Sequence, residues 1–152
     1  MPHRVHVRGV TSAPPDAVHA LLVDVTTWSV WGPWVSAVLE STDPSGGGGA
    51  GAVRRLESRA FGRTVVSREE VLEVLPGRGI TYGLLSGLPL RHYRGVVTVE
   101  PDGRGGSTIT WSSTFEPQVR GTGWFYRAVL QEFVTDLVPA LGRAAAGSTM
   151  SA

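Results

Sequence analysis

The chain has 152 residues, 41% of them hydrophobic and none of them cysteine, with 14 basic against 13 acidic side chains and a net charge of +1. That length makes one domain with a real core, the lack of cysteine excludes disulfides and thiolate chemistry, and so small a charge gives no reason to expect nucleic acid as a partner. No apolar run approaches the ~20 residues of a membrane span, and the N-terminus MPHRVHVRGV has no apolar signal region, so the expected location is the cytoplasm.

Val5 and Val7, with Val10 beyond Gly9, alternate with Arg4, His6 and Arg8 and predict a first strand. Thr11 or Ser12 can cap a helix that Pro14, Pro15 and Asp16 open, and apolar residues from Ala17 to Val25 carry it to about Thr26. The stretch TTWSVWGPW (26–34) then puts three of the five tryptophans into seven residues. Gly32 and Pro33 stop any long helix or strand from passing through it. Residues 35–41 predict a second strand, DPSGGGGAG (43–51) a flexible loop and residues 52–60 a third strand. Phe61-Gly62-Arg63 can turn the chain into a fourth, over 64–74. Leu75-Pro76-Gly77-Arg78-Gly79 is a turn signal, and strands over 80–86, 91–100 and 107–117 follow. About seven strands without intervening helices make an antiparallel meander.

From Thr122 the pattern changes. Phe125, Val129, Phe133, Leu137 and Leu141 recur four apart beside Leu130, Val134 and Val138, which predicts a long amphipathic helix. About 25 residues at 1.5 Å each reach roughly 37 Å, enough to cross a sheet, with a kink expected at Pro139. Residues 1–146 thus read as a single domain and 147–152 as a flexible tail.

A long antiparallel sheet must bend, and a bent sheet around a helix leaves a cavity lined by alternate side chains. APPDAVHALLVDVTTWSVWGPWV (13–35) and YRGVVTVEPDGRGGSTITWSSTFEP (93–117), with the long helix after them, resemble the START-like helix-grip (SRPBCC) superfamily and its polyketide cyclase/dehydrase-like branch. The resemblance covers about residues 3–145. It implies an α+β helix-grip fold, a curved antiparallel sheet of about seven strands wrapped around the C-terminal helix, with short helices after the first strand. The superfamily contains lipid carriers, hormone receptors and aromatic polyketide cyclases.

Alternation assigns the cavity face. Tyr93, Gly95, Val97 and Val99 point inward on one strand, and Ile109, Trp111, Ser113 and Phe115 on the next. Ile80, Tyr82 and Leu84 share an inward face. Leu72 and Val74 look inward, and unbroken alternation would bring Arg68 and Glu70 with them, whereas a bulge near 67–69 would send both charges out. Trp28 is expected in the core and Trp31 and Trp34 at the cavity rim. The helix offers Phe125, Val129 and Phe133.

Such aromatic walls suit an apolar, aromatic or lipid-like ligand. The alternative is an aromatic polyketide cyclase/dehydratase acting on a poly-β-ketone, with Tyr82, Tyr93, Ser113 and Arg68 as the groups that could move a proton. Residues 54–94 hold eight arginines against four glutamates. These are either solvated strand faces or, in part, partners for an anionic or phenolate ligand. His3, His6, His19 and His92 lack metal-ligand spacing, and neither a phosphate loop nor a GxSxG elbow is present. No metal and no cofactor is expected, the partner is a hydrophobic small molecule, and the oligomeric state stays open.

Overall fold

The computed structural model describes residues 2–60 and 62–150, without the side chains of 149 and 150. The described residues run β1 (His3–Thr11), α1 (Pro15–Val23), a 3₁₀ turn (Val25–Thr27), α2 (Trp28–Trp31), β2 (Ser36–Ser41), β3 (Val53–Ala60), β4 (Arg63–Leu75), β5 (Gly79–Ser86), β6 (Leu90–Pro101), β7 (Ser107–Pro117) and α3 (Gly123–Met150). The seven strands form one antiparallel sheet in the order β1-β7-β6-β5-β4-β3-β2. This is the meander with short helices after β1 and a long terminal helix that the sequence leads one to expect. Of the expected 61–63 turn, Phe61 lies outside the described residues. No helix among the described residues is long and apolar enough to cross a membrane.

Several local expectations are corrected. In β1 the alternation continues unbroken through Gly9, so Gly9 faces the helix and Val10 points away, 77% exposed. A Cβ on Gly9 would run into Val138 of α3, so the missing side chain is what lets helix and strand approach. Neither Thr11 nor Ser12 caps α1; Pro14 stands at the cap with no side-chain bond. The Thr11 hydroxyl instead donates to the Gly142 carbonyl (2.8 Å), tying the end of β1 to α3. The glycine-rich loop expected to be flexible is organised around one carboxylate. Asp43 accepts from the backbone N–H groups of Ser45, Gly47 and Gly49 (2.9, 2.8 and 2.7 Å) and from the Ser45 hydroxyl. These bonds, the Gly47 amide first, hold its pKa down at about 2.

Helix α3 packs on β1, β7 and α1. The burial begins at Val134 and is carried mainly by its C-terminal half, through Leu137, Val138, Leu141 and Ala145. Each valine or leucine among them is worth about 1.5–3 kcal/mol when fully buried. The N-terminal half, where Phe125 and Val129 were expected to pack, leaves both exposed (38% and 37%). Pro139 lies inside the helix, which continues to Met150, four residues into the expected tail; Ser151 and Ala152 lie outside the described residues. Because α3 is drawn against β1, the inner face of β3, β4 and β5 is left uncovered by its closely packed half.

Candidate functional site

That uncovered face forms a cavity of about 320 Å³. Small inward residues on β3 and β4 make the room: Ser58 and Ala60 on one strand, Val65 and Ser67 on the other, with Leu56 deeper. Trp28, Trp34, Tyr82, Tyr93 and Trp111 supply aromatic walls, and Tyr126, Val129, Leu130 and Phe133 of α3 close it from above.

The tryptophan turn explains its own density. Trp28 is buried and its indole N–H donates to the carbonyls of Leu21 and Leu22 (3.0 and 3.3 Å), satisfying the open end of α1. Its ring packs on Trp34 (5.0 Å between centroids) and Trp111 (6.0 Å), and it reaches the cavity wall as well as the core. Trp34 is also in the wall and meets Phe133 edge-on. Trp31, expected at the rim, is not in the wall. It is partly buried against the core and donates to the Thr27 hydroxyl (3.3 Å).

The β6 and β7 alternation places the remaining expected residues. Tyr82, Tyr93 and Trp111 line the cavity, and Trp111 Nε1 donates to the Tyr82 hydroxyl (2.9 Å). The Tyr82 and Tyr93 rings lie 6.0 Å apart. Burial, first, and the nearby Glu69 charge push both phenols above the usual range, so both stay protonated near neutral pH. Tyr93 reaches the wall by the alternation that runs back from Val97 through Gly95. Beyond it β6 bulges between Arg91 and Arg94, where His92 adopts positive φ and pairs with Glu116 (2.7 Å), and this brings Leu90 to the wall as well. Phe115 and Ser113 are buried but stand outside the wall. Phe115 stacks on Tyr93 and on His3, and the Ser113 hydroxyl lies beside the Tyr93 phenol. Phe125 is off the wall too, packed against Trp124 and Tyr126, while Val129 and Phe133 line it.

Strand β4 overturns one expectation. Its extra residue is Leu72, where the register with β5 slips between Val71 and Glu73. Leu72 is therefore 43% exposed and Val71 is fully buried. The second slip, at Arg68 and Glu69, adds Leu85 to β5 and leaves the β4 alternation intact. Arg68 and Glu70 fall on the outer face, and Arg68 pairs there with Glu40 (2.7 Å), away from the cavity. The charge that faces in is Glu69, beside Ser67 in the wall.

Glu69 sits directly across from Arg54 in the β3–β4 register. Arg54 is 1% exposed; Nη2 donates to the Leu22 carbonyl (3.0 Å) and its guanidinium lies 4.8 Å from the centroid of the Trp28 ring. Among the described residues its Nε and Nη1 have no hydrogen-bond partner, and neither does Glu69 Oε1. Burial pushes the Glu69 carboxyl up to about 7, against the Arg54 charge, which pulls it down. One sequence signal points to this pair: Leu56 marks the even positions of β3 as inward, so Arg54 must be buried and needs an acid across the sheet. Among the described residues, no three His, Asp or Glu gather as a metal site.

A sequence profile of the family described as "Polyketide cyclase / dehydrase and lipid transport" matches residues 2–146. No curated protein matches the chain. Among solved structures it is similar to a START superfamily protein from Mycobacterium smegmatis (TM-score 0.81, 16% identity, 94% of this chain and 97% of that one). It is also similar to TTHA0849 from Thermus thermophilus (0.77, 21%, 96% and 99%). A third is the Zhui aromatase/cyclase from Streptomyces sp. R1128 (0.75, 18%, 97% and 93%). At these identities the likeness is one of fold.

Proposed function

This chain belongs to the polyketide cyclase/dehydrase and lipid transport family, and from that premise we propose that it binds an apolar, aromatic or lipid-like small molecule between its sheet and its C-terminal helix. The observation that carries the reading is a mostly apolar cavity of about 320 Å³ walled, among the described residues, by three indoles and three phenols. That size is at the lower end of small-molecule sites and equals about ten waters. Flat rings suit the aromatic walls, which offer large contact area with few competing polar groups.

Tryptophan emission tests it. Trp28, Trp34 and Trp111 line the cavity, while Trp31 does not. Titrating polycyclic phenols and fatty acids should therefore quench or shift emission saturably. Trp34→Phe with Trp111→Phe should remove most of the response, and Trp31→Phe should leave it. A panel without any saturable response up to high micromolar ligand would refute the reading.

A second reading, cyclisation or dehydration of a poly-β-ketone, is favoured by one feature: Tyr82 and Tyr93 face each other in the cavity as protonated phenols. Trp111 occupies a lone pair of the Tyr82 oxygen, so Tyr82 acts through its proton, which is directed toward the Tyr93 oxygen and would have to turn to a substrate. The Zhui structure, named an aromatase/cyclase, shares the fold. Ser113 has its hydroxyl outside the wall and Arg68 its charge on the outer face, so of the four groups considered Tyr82 and Tyr93 remain as proton donors. Incubation with a poly-β-ketone analogue, followed by mass spectrometry, should show a product distribution that depends on the protein. Tyr82→Phe should slow its formation by about 10²-fold, the scale of a lost general acid. Identical products with and without protein would rule out this activity on that substrate class.

A further inference from the structure

Building on the binding reading, we infer that Glu69 sets which ligands the cavity accepts. It takes an apolar ring body carrying one hydroxyl or carbonyl oxygen and turns carboxylates away.

Among the described residues two charged side chains occur in the wall, and they differ. Arg59 is exposed at the rim. Glu69 lies on the inner face of β4 between Arg54 of β3 and Leu84 of β5, with Oε1 shut off from solvent and without a partner. An unpaired buried carboxyl oxygen is costly, and a ligand that hydrogen-bonds the cavity-facing side of this carboxyl, beside the enclosed Oε1, offsets part of that cost. Arg54 cannot take the ligand in its place. It is outside the wall, held on the Leu22 carbonyl and over Trp28. A carboxylate ligand would put two anions in one desolvated space, where they cannot both stay ionised.

The same carboxyl can accept or donate. Ionised, it accepts from a hydroxyl; protonated, it donates to a carbonyl. With its pKa raised to about 7, both forms are populated near neutral pH. The groups around it are Arg54 on β3, Tyr82 on β5 and Tyr93 on β6. Arginine stays cationic in proteins, and both phenols are raised and stay protonated. Glu69 is thus the member of this group that changes charge between about pH 5.5 and 8.5. A ligand that donates to it favours the ionised form and binds more tightly as pH rises. A ligand that only accepts favours the protonated form and binds more tightly as pH falls.

The test uses four naphthalenes of one ring size, titrated into the purified protein at about pH 5.5 and 8.5. 2-Naphthol should bind roughly tenfold more tightly at the higher pH, the scale separating charged from neutral hydrogen bonds. 2-Acetylnaphthalene should show the opposite trend, naphthalene itself none, and 2-naphthoate should bind weakest at the higher pH. Glu69→Gln should abolish both trends. A second measurement needs no variant: calorimetry near pH 7 in buffers of different ionisation enthalpy. It should show proton release with 2-naphthol and proton uptake with 2-acetylnaphthalene. If the four ligands bind with equal affinity at both pH values, or no protons are exchanged, the inference fails and the binding reading stands. If none of the four binds, both fail.

Discussion

Trp28→Ala should cost about 3–5 kcal/mol, the range for emptying a buried tryptophan position. For a chain of this size each kcal/mol moves Tm by about 2–4 °C, so a fall of roughly 6–20 °C is expected. The side chain is 1% exposed and joins three parts of the molecule. Its N–H satisfies the Leu21 and Leu22 carbonyls at the end of α1. Its ring packs on Trp34 and Trp111, and its face carries the Arg54 guanidinium. No single neighbour can fill the space, because Trp34 is fixed against Gly32, where even a Cβ would overlap the indole. Thermal and urea unfolding measure the effect. A loss below about 1 kcal/mol would mean the site collapses around the deletion, against this account.

Arg54→Ala should cost a similar amount, about 3–5 kcal/mol, since it empties a fully buried position, strips the Leu22 carbonyl and the Trp28 face of their partner, and takes away the positive charge that faces Glu69. The loss should depend on pH. Glu69 has its folded pKa raised from 4.5 to about 7, so its protonated form is the one the fold favours. That contribution is fully present below the unfolded pKa and is lost as pH rises through about 7. Arg54 is the charge that pulls the Glu69 pKa down, so removing it raises that pKa further. The variant should therefore lose more stability at about pH 8.5 than at about pH 5.5. In Arg54→Ala/Glu69→Gln the difference should vanish. Arg54→Met keeps volume without a charge to desolvate and should be the milder change. Leu22 still accepts from Trp28 in that variant. Because Arg54 and Trp28 share the Leu22 carbonyl and a cation–π contact, their two alanine variants should not add. A pH-independent loss for Arg54→Ala would disconnect Arg54 from Glu69.

The sequence by itself determined the seven strands, the long final helix and the inward faces of β6 and β7. Each rests on a period: two along a strand, three to four along a helix. Ile109, Trp111, Ser113 and Phe115 could be placed because nothing interrupts their alternation, and the core follows from it. Strand β4 escaped for the converse reason. A bulge adds a residue to a strand without any fixed residue type to announce it, and counting back from Leu72 turns every face around. Hence Arg68 was the arginine considered for the cavity, and Glu69 was not. The tertiary structure decided that point through pairing, since the partner across β3 is the buried Arg54. The tryptophan turn has no period at all. Gly32 and the short α2 send Trp34 into the wall and leave Trp31 outside it. In α3 the spacing determined which residues share a stripe, but not how far along the helix the sheet follows it. Gly9 decides that by letting α3 close onto β1 at Val138, which buries the C-terminal half and leaves the N-terminal half standing over the cavity. Local periodicity is written into each segment, whereas a side chain's surroundings depend on which distant segment comes to lie against it.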